Sequence, residues 1–254
     1  MTQKLTNFFI VGCVRSGTSL LRNILREHPK LACPGEPDFF RGSWPFRTQR
    51  FRFHNTKAKL LKKHREIDGI TDEDIEEMME SSSGRGEFMR KYMKKFMEKK
   101  NPEKSIWFDK SPQNIYGILL IRAEFPGSRF IHIIRNPLNV VASLKKGLVM
   151  KVTDLVAASN YWRESVMISQ QFSTAFPAEI LHIHFEDLTE KPEETLAMIC
   201  DYIGVDYNFT CKTISSIKQV QNRYLDYLSE DEQDLVRNIC SPLIKDTSPI
   251  RKYF

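Results

Sequence analysis

Apolar positions along the chain fall into short blocks separated by amphipathic stretches. Phe8 to Val11 is a run of four apolar residues, the length of a buried strand. After a loop containing Gly12 and Gly17, Leu20, Leu21, Ile24 and Leu25 recur at helical spacing, and His28-Pro29 predicts where that helix stops. Leu31 to Cys33 predicts a second short strand. The same rhythm resumes beyond residue 105. Ile106 to Phe108 predicts a strand. Ser111-Pro112 predicts a helix start, with the serine as N-cap and the proline in the first turn. Ile115, Ile118, Leu119 and Ala123 are expected on the core face of that helix, and Pro126-Gly127 closes it. Arg129 to Ile134 predicts an apolar strand, and Asn136-Pro137 opens a helix that runs through Val140, Val141 and Leu144 to Gly147. A long helix is predicted from about Thr153 to Phe176, a strand over Ile180 to Phe185, and a helix over Pro192 to Ile203 stopped by Gly204. Ser229 with Glu232 forms a capping-box pattern for a last helix, to about Ile239. Strands alternating with helices predict an α/β fold of three layers, a central parallel sheet flanked by helices.

Residues 41 to 105 break this rhythm. Arg41 to Arg65 carries nine Arg or Lys and no Asp or Glu. An acidic run follows from Asp72 to Glu80, then Ser81-Ser82-Ser83-Gly84 as a turn, then a basic helix over about Glu87 to Lys100. The region is expected to be a helical insertion that caps the acceptor side of a single domain spanning residues 1–254. Composition fits such a fold: 41% hydrophobic and 28% charged residues supply an ordinary core and surface. The net charge of +6 favours anionic ligands without choosing among them. Five cysteines, an odd number with no CxxC spacing, argue against a disulfide framework and a zinc site. No apolar run approaches the ~20 residues of a membrane span, and Phe8 to Val14 is too short for a signal core. A soluble, cytoplasmic chain is expected.

The chemistry starts at the loop Gly12 to Ser19. Gly12 and Gly17 have the GxxxxG spacing of a phosphate-binding loop, between a predicted strand and a predicted helix. Glycine allows the sharp turn that brings amide N–H groups close to an anion, and the helix N-terminus adds positive potential. A nucleotide-hydrolysing loop would continue with Lys and then Ser or Thr. Here Thr18 and Ser19 take those places, and the loop carries Arg15 instead, whose planar fork suits an oxyanion. The strand at 129–134 ends in Arg135, a basic residue where a magnesium-binding aspartate would otherwise be sought.

Together these segments resemble the sulfotransferase superfamily that uses 3′-phosphoadenosine 5′-phosphosulfate (PAPS). Val14 to Leu25 is similar to its 5′-phosphosulfate loop, and Phe130 to Leu144 is similar to its 3′-phosphate strand-loop-helix. The resemblance implies that Arg15, Ser16, Gly17, Thr18 and Ser19 hold the phosphosulfate and that Arg135 and Ser143 hold the 3′-phosphate. A weaker match at His184 to Leu188 implies that Phe185 contacts the adenine, in place of a commoner tyrosine. The Gly-Glu-Pro segment at 35–37 is closest in style to tyrosylprotein sulfotransferases and their bacterial relatives. That implies Glu36 as general base and Lys110 near the transferred group. Ser216, Lys218 and Arg223 are candidates for closing over the nucleotide.

A general base contributes on the order of 10²–10⁴ in rate. Arg15, Lys110 and the loop amides would stabilise charge on the departing phosphate oxygen, with no metal required. The expected partner is a hydroxyl-bearing acceptor, whether carbohydrate, lipid or other alcohol, or tyrosine. The basic stretch 41–65, with Trp44, Phe46, Phe51 and Phe53 interleaved, is either an acidic-acceptor surface or a solvated cap; nucleic acid is not the expected partner. Two other readings stand beside the leading one: a nucleotide-dependent kinase, against which the missing lysine counts, and a non-catalytic module for acidic polymers. His182 and His184 share a strand face but lack partners at metal-ligand spacing.

Overall fold

A computed structural model describes residues 7–42, 44–147, 150–218, 222–244 and 251. Five strands form one parallel sheet: β1 (Phe8–Gly12), β2 (Leu31–Ala32), β3 (Ile106–Lys110), β4 (Arg129–Ile134) and β5 (Ile180–His184), in the order β2-β3-β1-β4-β5. The helices are α1 (Thr18–Arg26), α2 (Gln49–Lys57), α3 (Lys59–Asp68), α4 (Asp72–Glu80), α5 (Arg85–Lys100), α6 (Ile118–Glu124), α7 (Pro137–Lys146), α8 (Leu155–Ala175), α9 (Phe185–Glu190), α10 (Pro192–Ile203), α11 (Cys211–Ser215), α12 (Tyr224–Tyr227) and α13 (Glu230–Cys240). β1 lies at the centre, with β2 and β3 on one side of it and β4 and β5 on the other, so the chain crosses over β1 between β3 and β4. The ends of β3, β1 and β4 therefore meet at a switch point in strand order, where α/β sheets form their clefts.

The period of two along β1 builds both layers. Phe8 and Ile10 join one core with Leu21, Leu25, Ile131, Leu196 and Ile199. Phe9 and Val11 face the other, with Ile115, Phe130 and Phe172 and with Phe51, Met79, Phe88 and Tyr92 of the 41–105 region. The insertion is therefore continuous with the core of the sheet. Its charge pattern explains its packing: Arg52 pairs with Glu76 and Glu80, Arg47 with Glu80, and Lys62 and Arg65 with Asp72. Much of the basic stretch is matched by the acidic helix that follows it. Phe51 and Phe46 are drawn into ring contacts with Phe88, while Phe53 stays 68% exposed.

Three local expectations are corrected. Ser111 does not cap a helix. Its hydroxyl donates to Asp109 and accepts from the Asp38 amide, and Pro112–Gly117 forms a 3-10 turn before α6. Ile115 lies in that turn, and Ile118 and Ile121 follow at spacings of three in α6. All three are buried, whereas Leu119 is 64% exposed and Ala123 also faces solvent. Leu119 and Leu120 line an open apolar hollow of about 720 Å³ between α6 and α8. Phe185 opens α9 and is not the end of β5. Among the described residues, no helix is long and apolar enough to cross a membrane.

Candidate active site

The loop leaving β1 is shaped by three residues of positive φ: Gly12 at 148°, Arg15 at 69° and Gly17 at 95°. Gly17 is the N-cap of α1 and offers no side-chain cap, so the first amides of the helix face the loop. Turns of this kind aim successive N–H groups at one point and form an anion-binding hollow. Gly17 is required sterically as well. A Cβ there would lie 2.1 Å from the Phe185 ring. Ser16 and Thr18 are buried beneath the loop, and Ser19 is exposed at its rim.

One cluster forms on the β4 side. Arg15 Nε donates to Ser143 Oγ at 2.9 Å, and Arg135 Nη1 donates to the Arg15 carbonyl at 3.1 Å. The Arg135 guanidinium stacks over Phe185, 4.4 Å from the ring centroid. Trp162 Nε1 donates to the Arg135 carbonyl, and the buried Glu186 accepts from the Asn136 amide. Asn136 Oδ1 in turn caps α7, the helix that carries Ser143. Arg135 Nε is buried without a hydrogen-bond partner. Burial, with Arg15 and Arg223 nearby, lowers the Arg135 pKa, opposed by Glu186. Arg223 thus lies within electrostatic reach of Arg135. Ser216 bonds inside its own turn, to the Thr213 carbonyl, and Lys218 is exposed. Phe185 is placed against Gly17 and beneath Arg135.

A second cluster forms on the β3 side. Lys110, the last residue of β3, has no solvent exposure. Its ammonium pairs with Glu36 and donates to Ser19 Oγ at 3.2 Å. Burial pulls the Lys110 pKa down to about 7, with Arg22 and Arg26 adding to the effect, and its ammonium lies in contact with the Glu36 carboxylate. Sequence reasoning missed the neighbour that braces this corner. Asp109 is buried and its pKa is raised to about 7 by desolvation. It accepts from Ser111 and from Asn114 Nδ2, and these two residues accept the amides of Asp38 and Phe40. The segment after Glu36 is thereby tied to the segment after Lys110. Asp109 stood beside Lys110 in the sequence, but nothing in the spacing pairs it with a segment 70 residues earlier. His182, considered earlier as a metal ligand, meets His132 across the β4–β5 ladder with 3.2 Å between their Nδ1 atoms.

Two clusters with cationic side chains therefore flank the loop leaving β1. One cluster offers Arg15, Arg135 and Ser143, and the other offers Lys110 beside a carboxylate. An unpartnered buried guanidinium N–H and a hollow of converging amides fit a ligand carrying two anionic groups.

Comparison with known proteins accords with this geometry. The chain matches the sulfotransferase family over residues 7–209, and it belongs to that family. An uncharacterised protein of Aquifex aeolicus is 26% identical over 84% of the chain, which spans 28% of that relative. A putative protein-tyrosine sulfotransferase of Caenorhabditis briggsae is 24% identical over 80% of the chain and 69% of the relative. Among solved structures, the sulfotransferase domain of a Synechococcus olefin synthase superposes with a TM-score of 0.64 at 18% identity, covering 100% of this chain and 94% of that one. Mouse sulfotransferase SULT7A1 complexed with 3′-phosphoadenosine 5′-phosphate (PAP) gives 0.53 at 11% identity, covering 100% and 90%. These likenesses establish the fold.

The Gly17–Phe185 contact makes a direct prediction. Gly17→Ala should destabilise the protein by roughly 2–3 kcal/mol, through positive-φ strain and the clash with Phe185. Adding Phe185→Ala should recover part of that loss. Denaturant unfolding of the two single variants and the double variant checks this, and strictly additive losses would contradict the contact.

Proposed function

We propose that this chain transfers a sulfonate group from PAPS to the hydroxyl of an acceptor. The observation that carries the reading is the pairing of two basic clusters, Arg15–Ser143–Arg135 and Lys110–Glu36, across one phosphate-type loop that lacks the kinase lysine. PAPS carries anionic groups at both ends of its ribose, and ATP has none at the 3′ position. Arg135 and Ser143 would hold the 3′-phosphate. The loop amides, Ser16, Thr18 and Ser19 would hold the phosphosulfate. Phe185 lies where it can form the floor beneath Arg135 and flank the nucleotide.

Glu36 is the proposed general base. Its carboxylate is partly exposed and in contact with Lys110, so it can take the acceptor proton as the new S–O bond forms. Lys110 then remains as the cation beside the departing phosphate oxygen, with Arg15 and the loop amides. Such preorganised donors are each worth about 10²–10³ in turnover. Tyrosine is the first acceptor to try, because the named Caenorhabditis relative is a putative protein-tyrosine sulfotransferase.

Two outcomes test the reading. Arg135→Ala should weaken PAP binding about tenfold to a hundredfold while leaving AMP binding within about twofold, because only PAP loses a charge-assisted contact. Calorimetry on both ligands decides it, and equal weakening would remove Arg135 from the 3′-phosphate site. Glu36→Gln should lower turnover of PAPS with a tyrosyl peptide by about 10²–10⁴ while leaving PAP affinity intact. Turnover unchanged in that variant would exclude Glu36 as the base.

A further inference from the structure

Glu36 stands on the long connection between β2 and α2, and a carboxylate on a free loop would not stay against Lys110. The peptide bond just before it, Pro34–Gly35, is held at both ends. Arg26 of α1 donates to the Pro34 carbonyl at 2.6 Å and, through Nε, to the Cys33 carbonyl at 2.8 Å. On the opposite edge, the Gly35 N–H donates to both oxygens of Asp68, at 2.8 and 3.0 Å. Asp68, the last residue of α3, is 2% exposed, and Tyr92 of α5, fully buried, donates its hydroxyl to Asp68 Oδ2 at 2.6 Å. One turn back on the same face of α3, His64 Nδ1 lies 3.3 Å from the Glu36 amide. A Cβ on Gly35 would come within 2.7 Å of His64 Cβ, so the approach of helix to loop depends on glycine.

We propose that Asp68, fixed by Tyr92, is a positioning residue for the Glu36 carboxylate, and that with Arg26 it clamps the Pro34–Gly35 peptide between the donor-side helix α1 and the cap. The proposal rests on Glu36 being the general base. Its physical content is that a carboxylate burial would otherwise disfavour is retained because it restricts one peptide. Arg26 acts from the helix that begins at the phosphate loop, and Asp68 and Tyr92 act from the cap. The clamp therefore fixes the base relative to both sides of the cleft. A displacement of about 1 Å at a reacting group can cost on the order of 10² in rate, which sets the scale of the effect. The cap thus does more than shape an acceptor surface: it supplies half of the hold on the base.

The test compares Asp68→Asn, Tyr92→Phe, Glu36→Gln and the double variant Asp68→Asn/Glu36→Gln. The readout is PAP released from PAPS with a tyrosyl peptide, or with water alone if the peptide is not turned over. Asp68→Asn should slow release about 10- to 100-fold and Tyr92→Phe about 3- to 10-fold, with PAP affinity within about twofold of wild type. In the Glu36→Gln background the Asp68→Asn effect should vanish, leaving the double variant within about twofold of Glu36→Gln alone. Normal release by Asp68→Asn, or a double variant slowed by the full product of both losses, overturns the clamp. If Asp68→Asn does not fold, Tyr92→Phe combined with Glu36→Gln carries the same comparison. Failure of the underlying reading looks different: Glu36→Gln would itself release PAP at the wild-type rate, and base and clamp would fall together.

Discussion

A lysine without solvent exposure at the end of a central strand needs an anion, and the arrangement of this molecule follows from that need. Lys110 finds Glu36, and that pairing fixes where the chain must travel after β2. Desolvation and two nearby arginines disfavour the charge on a buried ammonium, and a carboxylate in contact with it favours that charge. The pair is a stored tension: the carboxylate that satisfies the lysine at rest is the one proposed to take the acceptor proton. The remaining contacts of this corner keep the pair together. Asp109 with Ser111 and Asn114 ties down the residues after Glu36, and Arg26 with Asp68 ties down those before it.

The opposite cluster solves a different problem, the gathering of positive charge at one place. Arg15 and Arg135 lie close enough to repel, and they are spaced by bonds to Ser143 and to a backbone carbonyl and by the Phe185 ring. These neutral partners hold the guanidiniums without neutralising them. An incoming anion would therefore meet charge that is already in place, which is the condition for electrostatic preorganisation.

Much of this was legible in the sequence because it is local. The strand, glycine loop and helix at 8–25 and the strand, arginine and helix at 130–144 are contiguous segments whose periodicity and breakers specify them. The parallel sheet followed from their alternation. The unread parts are those set by contacts across long separations. Asp68 and Tyr92 are far from Glu36 in sequence, and nothing in a helix reading of α3 or α5 distinguishes them from ordinary surface or core positions. The basic stretch from 41 to 65 left an acceptor surface and a solvated cap both open, because several of its counter-charges lie in the next helix and only folding brings them together. The core face of the segment after Pro112 was read in part: Ile115 and Ile118 are buried as expected, whereas Leu119 and Ala123 face solvent and Ile121 is buried. Buried charge and helix subtype are decided by tertiary packing, which hydropathy does not encode.

In the proposed function, the loop from β1 forms one half of a two-anion clamp whose other half begins at Arg135. Titration calorimetry of the unmodified chain with PAP, AMP and ATP tests it most directly. The account predicts PAP binding at least about tenfold tighter than either competitor, since the 3′-phosphate alone meets Arg135 and Ser143. ATP binding as tightly as PAP, or all three binding alike, would contradict it.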